Sequence, residues 1–268
     1  LHPTNRRQRQ MCIRDSLDNI EAGADVITTS NYYATPIILA KDSTKHDYKE
    51  LVKRALDLVQ EAIKISGKNC QIAGSFPPIN VSFRPDLTGT KSELEDFYGS
   101  LGEIYKDTVD IIMCESMSSI FEGRNASRVA KEFSERVWLS WTNRGHQPDQ
   151  LPSTEALSKA VDFSIEADVE CTLINCSHAD MASNSIKELK RASRFGIFAN
   201  SSTFKEVDLS VATKDVDAIH HLNSEEISAK EYAMIALSWA KEGAFVVGGC
   251  CGTTVEHTRE IKLLMDSL

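Results

Sequence analysis

The chain has 268 residues, of which 41% are hydrophobic and 26% charged, and its 30 Lys and Arg against 39 Asp and Glu give a formal net charge of -9. That balance belongs to an ordinary globular protein with a sizeable core, and the negative charge excludes a chain-wide attraction to nucleic acid phosphates or anionic lipid. No run approaches the roughly 20 apolar residues needed to cross a bilayer, and no charged-then-apolar leader resembles a secretory signal, so a cytoplasmic protein is expected. Seven cysteines, at 12, 70, 114, 171, 176, 250 and 251, are odd in number and not spaced like a disulfide framework. Reduced thiols follow, and most such thiols act as small buried hydrophobes.

In chain order, Ser16–Gly23 (SLDNIEAG) reads as the tail of a helix and Asp25–Ser30 (DVITTS) as the first strand. Tyr48–Ser66 is expected as a helix, with apolar residues at three- and four-residue intervals, followed by a strand at Cys70–Ser75. The turn-rich stretch Ser75–Gly89 (SFPPINVSFRPDLTG) reads as a loop at the mouth of a barrel. Further strands are expected at Val109–Cys114, Val137–Trp141, Glu170–Cys176, Phe195–Asn200 and Ala244–Gly248, and further helices at Leu94–Thr108, Ser153–Ala167, Ile186–Ser193 and Ala229–Glu242. Short β-branched runs alternating with longer amphipathic ones indicate repeated βα units around a parallel sheet.

Every strand is preceded by a helix, so an eighth strand is called for ahead of the first. Residues 1–15 (LHPTNRRQRQMCIRD) have no apolar run or alternation to supply it. The expectation is therefore an α/β (β/α)8 TIM-type barrel lacking its first β-strand, with 1–16 as an atypical, disordered or non-native leader and 17–268 as the barrel domain. The length is close to the roughly 250 residues of such a barrel. The competing arrangement is a disordered basic leader ahead of a different seven-stranded sheet.

The sharpest local feature is GGCCGTT at Gly248–Thr254, directly after the apolar run AFVV. Adjacent strand residues point to opposite faces, so two neighbouring cysteines share one point in space only if the chain turns, which flanking glycines permit. The alternative is a Gly-rich phosphate cradle, which has no need of two thiols. Cys176 ends another expected strand in LINCSH. Three thiols converging on the carboxyl ends of barrel strands suit zinc, which takes three protein ligands at catalytic sites and leaves a fourth position open. His178 is a rival ligand or a solvated loop histidine, and Cys12, Cys70, Cys114 and Cys171 read as structural. Glu115 follows an apolar strand, where a carboxylate can hold an ammonium group; its alternative is a carboxylate favoured by a helix N-terminus.

These residues resemble the homocysteine S-methyltransferases, a family of zinc-dependent (β/α)8 barrels. The resemblance covers roughly residues 17–265: GGCCGT after a terminal strand paired with the upstream Asn175-Cys176, Ala22-Gly23-Ala24-Asp25 leading into ITTSNYYA, the AGSFPP…RPDLTG loop, and Glu115 with Glu122 in CESMSSIFE. It implies zinc on Cys176, Cys250 and Cys251, a substrate-amine contact at Glu115, and mouth-lining roles for Asn175 and Tyr33, the last equally readable as a surface aromatic. The family's Asp-Gly pair at the end of its first strand has no match in residues 1–15.

The implied reaction is methyl transfer from a small cationic donor, S-methylmethionine or S-adenosylmethionine, with betaine or another onium compound as alternatives, to the thiol of homocysteine, giving methionine. A selenium-containing acceptor fits the same pattern. Two rivals stand beside it: a zinc-dependent barrel hydrolase, whose adjacent histidines would be His220-His221, and a truncated, inactive barrel that binds zinc without turnover.

Overall fold

The structure is a computed structural model and describes residues 13–41, 46–204 and 222–268. Its elements run in chain order as α1 (13–21), β1 (Val26–Thr28), α2 (Pro36–Lys41), α3 (Tyr48–Ser66), β2 (Gln71–Phe76), α4 (Lys91–Tyr105), β3 (Ile111–Met117), α5 (Ile120–Ala130), β4 (Val137–Trp141), α6 (Leu157–Glu166), β5 (Cys171–His178), α7 (Ala179–Asn184), α8 (Ile186–Leu189), β6 (Phe195–Asn200), β7 (Ser202–Phe204), β8 (Leu222–Glu226), α9 (Ala229–Lys241), β9 (Val246–Gly249) and α10 (Val255–Met265). All seven expected strands are present and pair in parallel in the order β1-β2-β3-β4-β5-β6-β9. The short strands β7 and β8 pair antiparallel with each other as a separate unit, which no apolar alternation in the sequence announces.

Local chemistry fixes the helix starts. Thr90 and Glu93 form a capping box at α4, as do Ser228 and Glu231 at α9, each satisfying backbone N–H groups that a first turn leaves without partners. Helix α3 opens on the Asp47 side chain and ends at Gly67, whose φ of 64° is the left-handed stop glycine adopts freely. No helix among the described residues is long and apolar enough to cross a membrane.

The sheet curls into a TIM-type (β/α) barrel that stays open between β1 and β9. Inside it, Ala73, Ile111, Met113, Trp138, Cys171 and Leu173 form one buried cluster. Their neighbours of opposite parity, such as Ile112, Cys114, Leu139 and Ile174, pack outward with the helices. Between β1 and β9 lies a cavity of about 940 Å³ reaching the inward side chains Val26, Thr28, Met113, Trp138, Phe198 and Val246. In a closed barrel the first strand occupies that position, and among the described residues no strand fills it. On the outside, α1 and α10 meet across the gap, where Thr258 Oγ1 donates to Asn19 Oδ1 at 2.8 Å.

Helix α1 takes in residues 13–16, which the expected leader had included. The rest of that segment with Cys12, and the His220-His221 pair, lie outside the described residues.

Candidate metal site at the barrel mouth

Side-chain parity builds the mouth. Continuing the inward rows by two residues from Ala73, Met113, Trp138 and Leu173 brings up Ser75, Glu115, Ser140 and Asn175 at the carboxyl ends of β2, β3, β4 and β5. All four are buried. The Ser75 hydroxyl donates a short hydrogen bond to the Glu115 carboxylate, and the Ser140 hydroxyl donates to Asn175 Oδ1 at 2.6 Å. Glu115 thus belongs to a strand and faces the mouth. The helix N-terminus downstream is capped by Ser119, whose side chain accepts from the Glu122 N–H, while Glu122 accepts from the backbone and hydroxyl of Ser118.

Parity alone sends Cys176 outward, as it does Ile174. The backbone reverses this: Cys176 adopts φ 53°, the β5–β6 register breaks between Asn175 and His178, and the sulfur turns into the mouth. A non-glycine residue in the left-handed region costs about 1–3 kcal/mol, a strain typical of functional sites. On β9 the problem is solved differently. Gly248 and Gly249 remain strand residues, and the left-handed turn falls on Gly252 at φ 80°. A Cβ there would run into the Ser201 and Ser202 hydroxyls. Cys250 N donates to Ala199 O at 2.8 Å, Cys251 N to Asn200 Oδ1 at 3.1 Å, and Ser201 N to Cys251 O at 3.0 Å. These bonds tie the turn to the end of β6.

The result is a triangle of sulfurs. Cys176 Sγ lies 3.3 Å from Cys250 Sγ and 3.8 Å from Cys251 Sγ, and the last two are 4.0 Å apart. Disulfide sulfurs lie about 2.05 Å apart, so these are free thiols. Tetrahedral zinc with bonds of about 2.3 Å to sulfur requires about 3.8 Å between ligand sulfurs, which the triangle matches. The donor set of three soft thiols fits that metal. Within the triangle, hydrogen bonds from Cys176 and Cys250 hold the Cys251 thiol well below its ordinary range, whereas sharing a proton with its neighbours and burial push Cys176 up. Among the described residues this is the one group of three metal-capable side chains found together.

Burial pushes the Glu115 carboxyl up to about 7, the Ser75 hydrogen bond pulling it down and the negative Cys251 adding to the rise. Asn175 is fully buried with a committed carboxamide: Oδ1 accepts from Ser116 N at 2.9 Å and from Ser140, and Nδ2 donates to Ser116 Oγ at 2.7 Å. The aromatic residue that faces this charge is Tyr32, which sequence reasoning missed. Burial raises its phenol well above the ordinary range, with further contributions from Cys176 and Glu115, and its hydroxyl bonds Ser82 Oγ at 2.6 Å in the 75–89 loop. Tyr33 packs edge-on against it with ring centroids 5.2 Å apart. His178 caps α7, accepting from Asp180 N at 3.4 Å. Cys70, Cys114 and Cys171 are free and buried in the packing, as expected of structural thiols.

Comparison with known proteins places this arrangement. The family model described as homocysteine S-methyltransferase matches residues 8–265. Homocysteine S-methyltransferase YbgG of Bacillus subtilis is 23% identical, over 94% of this chain and 82% of its own. Selenocysteine methyltransferase of Astragalus bisulcatus is likewise 23% identical, over 94% of this chain and 81% of its own. Among solved structures, the metallated form of the homocysteine methyltransferase MmuM from Escherichia coli superposes with a TM-score of 0.73 at 21% identity, covering 94% of this chain and 83% of that one. This last likeness supports the fold.

Proposed function

Because the chain belongs to the homocysteine S-methyltransferase family, and so is an enzyme of that type, we propose that it moves a methyl group from S-methylmethionine or S-adenosylmethionine to the thiol of homocysteine, giving methionine, with zinc held by Cys176, Cys250 and Cys251. The observation that carries the metal reading is the sulfur triangle, whose edges would suit a tetrahedral ion held by three thiolates with one position left for substrate. When bound, zinc lowers the pKa of the homocysteine thiol so that it is held as the nucleophilic thiolate.

The chain's own residues supply position and charge. Glu115 accepts the amino acid's ammonium, and that cation offsets the burial that raises the carboxyl, so substrate and carboxylate charge each other. Three cysteinates concentrate negative charge at the mouth and complement a cationic methyl donor. Tyr32, backed by Tyr33, and the Ser82 loop wall the mouth and limit water, leaving the transfer to depend on alignment rather than on a general base. A reducing, cytoplasmic setting suits the free thiols. A selenol acceptor is accommodated by the same soft site, as the name of the Astragalus relative suggests.

The open seam between β1 and β9 favours one second reading, a barrel that binds zinc without turnover. The test measures zinc per chain together with methionine formed from homocysteine and S-methylmethionine, for the wild type and Cys250→Ala. About one zinc per chain with turnover, both lost in Cys250→Ala, supports the proposal. Zinc without turnover selects the second reading, and zinc binding unaffected by Cys250→Ala overturns the three-thiolate site.

A further inference from the structure

We propose that the carboxamide of Asn175 is a positioning clamp that locks two left-handed strand ends, at Ser116 on β3 and Cys176 on β5, and so aims Glu115 and the Cys176 sulfur into one mouth. The proposal rests on the metal reading above for one of its readouts. Ser116 has φ 58° and Cys176 φ 53°, and in each strand the register breaks at the same level, between Cys114 and Met117 and between Asn175 and His178. The two strands are not neighbours, because β4 runs between them. Asn175 spans that distance. Its Oδ1 accepts from Ser116 N at 2.9 Å and from Ser140 Oγ of β4 at 2.6 Å, and its Nδ2 donates to Ser116 Oγ at 2.7 Å.

The backbone N–H of Ser116 bonds to a side chain because the bulge takes it out of the ladder, and a buried N–H needs some such partner. A planar amide, with a donor on one side and two acceptor lone pairs on the other, meets Ser116 N, Ser116 Oγ and Ser140 Oγ together without burying a charge. Aspartate lacks the donor and would bury a second charge near Glu115. A side chain fully buried and engaged in this way orients its neighbours rather than gripping a substrate.

The test compares wild type, Asn175→Ala, and Asn175→Ala combined with Ser116→Gly, since glycine adopts the left-handed backbone without help. Asn175→Ala is expected to keep its far-UV circular dichroism, to weaken zinc binding about 10- to 100-fold in a chelator competition, as loss of outer-shell support does at metal sites, to shift the thiolate charge-transfer band of the cobalt-substituted protein, and to raise the KM for homocysteine. Adding Ser116→Gly is expected to recover the homocysteine KM more than the zinc affinity, because it relieves the Glu115 arm alone. Unchanged zinc affinity and cobalt spectrum in Asn175→Ala, or a double variant with no recovery of KM, overturns the clamp. Should Asn175→Ala fail to fold, Ser140→Ala removes one of the three bonds and is expected to weaken zinc severalfold; no change there overturns the proposal equally. A wild type that binds no zinc defeats the metal reading, and the clamp is then read from crystal structures of metal-free wild type and Ser140→Ala: relaxation of Ser116 or Cys176 toward negative φ in the variant supports it, and retention of both overturns it.

Discussion

Replacing Glu115 by Gln in the reduced, metal-free chain is expected to stabilise the fold above neutrality and to change little near pH 4. The carboxyl sits at about 7 in the folded chain against an ordinary value of 4.5, chiefly because burial disfavours its charge. Between those two values the folded state holds a proton that the unfolded state has released, so stability is greatest at the acid end and falls as pH rises through the window. At about 1.4 kcal/mol per pH unit, the full loss is about 3 kcal/mol by pH 8. Glutamine keeps an acceptor for the Ser75 hydroxyl and has no charge to bury, so it escapes the loss. Urea unfolding of both proteins near pH 4, 5, 6, 7 and 8 reads the difference; with a slope of about 3 kcal/mol/M the midpoints separate by about 1 M at the alkaline end. Other titrating groups cancel in the subtraction. A gap that does not change with pH, or a glutamine variant weaker at every pH, refutes the argument. The same substitution is expected to raise the KM for homocysteine by about 10- to 100-fold, the worth of a charge-assisted hydrogen bond of about 1.5–3 kcal/mol.

Zinc in excess is expected to raise the melting temperature of the wild type and leave that of Cys176→Ser unmoved; at 100 times the dissociation constant the gain is about 2.7 kcal/mol, and equal shifts in the two proteins would exclude Cys176 as a ligand. Gly252→Ala is expected to cost about 2–4 kcal/mol in chemical unfolding, from the left-handed φ of 80° together with a Cβ 2.6 Å from the Ser201 hydroxyl, and to lower zinc affinity with it. Tyr105→Phe removes a buried hydroxyl that bonds Thr29 Oγ1 at 3.0 Å and Asn31 Oδ1 at 2.8 Å, and is expected to cost about 1–3 kcal/mol in the same assay without altering zinc stoichiometry.

Strands were legible because they are short and β-branched, and the position of Glu115 directly after an apolar strand pointed it to the mouth, where parity along β3 now places it. Helix starts were less legible: α4 was expected to begin at Leu94 but begins at Lys91, where Thr90 and Glu93 form a capping box. The expected ends of β3 and β5, at Cys114 and Cys176, fall short of the observed Met117 and His178. The reason is physical: both strands continue past a left-handed residue, and nothing in Ser116 or Cys176 as residue types favours that conformation. Tyr32 and Tyr33 could not be ranked because the segment after β1 has no periodicity to say which ring turns inward.

The two arms of the sulfur triangle show where the remaining information lies. After β9 the sulfurs and the left-handed residue belong to different amino acids, so Gly252 carries the turn and Cys250 and Cys251 carry the sulfurs; a glycine next to two cysteines is visible in the sequence. On β5 one residue must do both, because the sulfur that joins the triangle is the sulfur whose own backbone turns, and glycine has no thiol. That strain at Cys176 has to be held by other residues, and one buried hydrogen-bonding side chain beside it is Asn175, which bonds Ser140 of β4 and Ser116 of β3. The Asn-Cys pair at the end of β5 is therefore the counterpart of the glycine turn after β9, with a cross-strand carboxamide doing there what the absence of a Cβ does here.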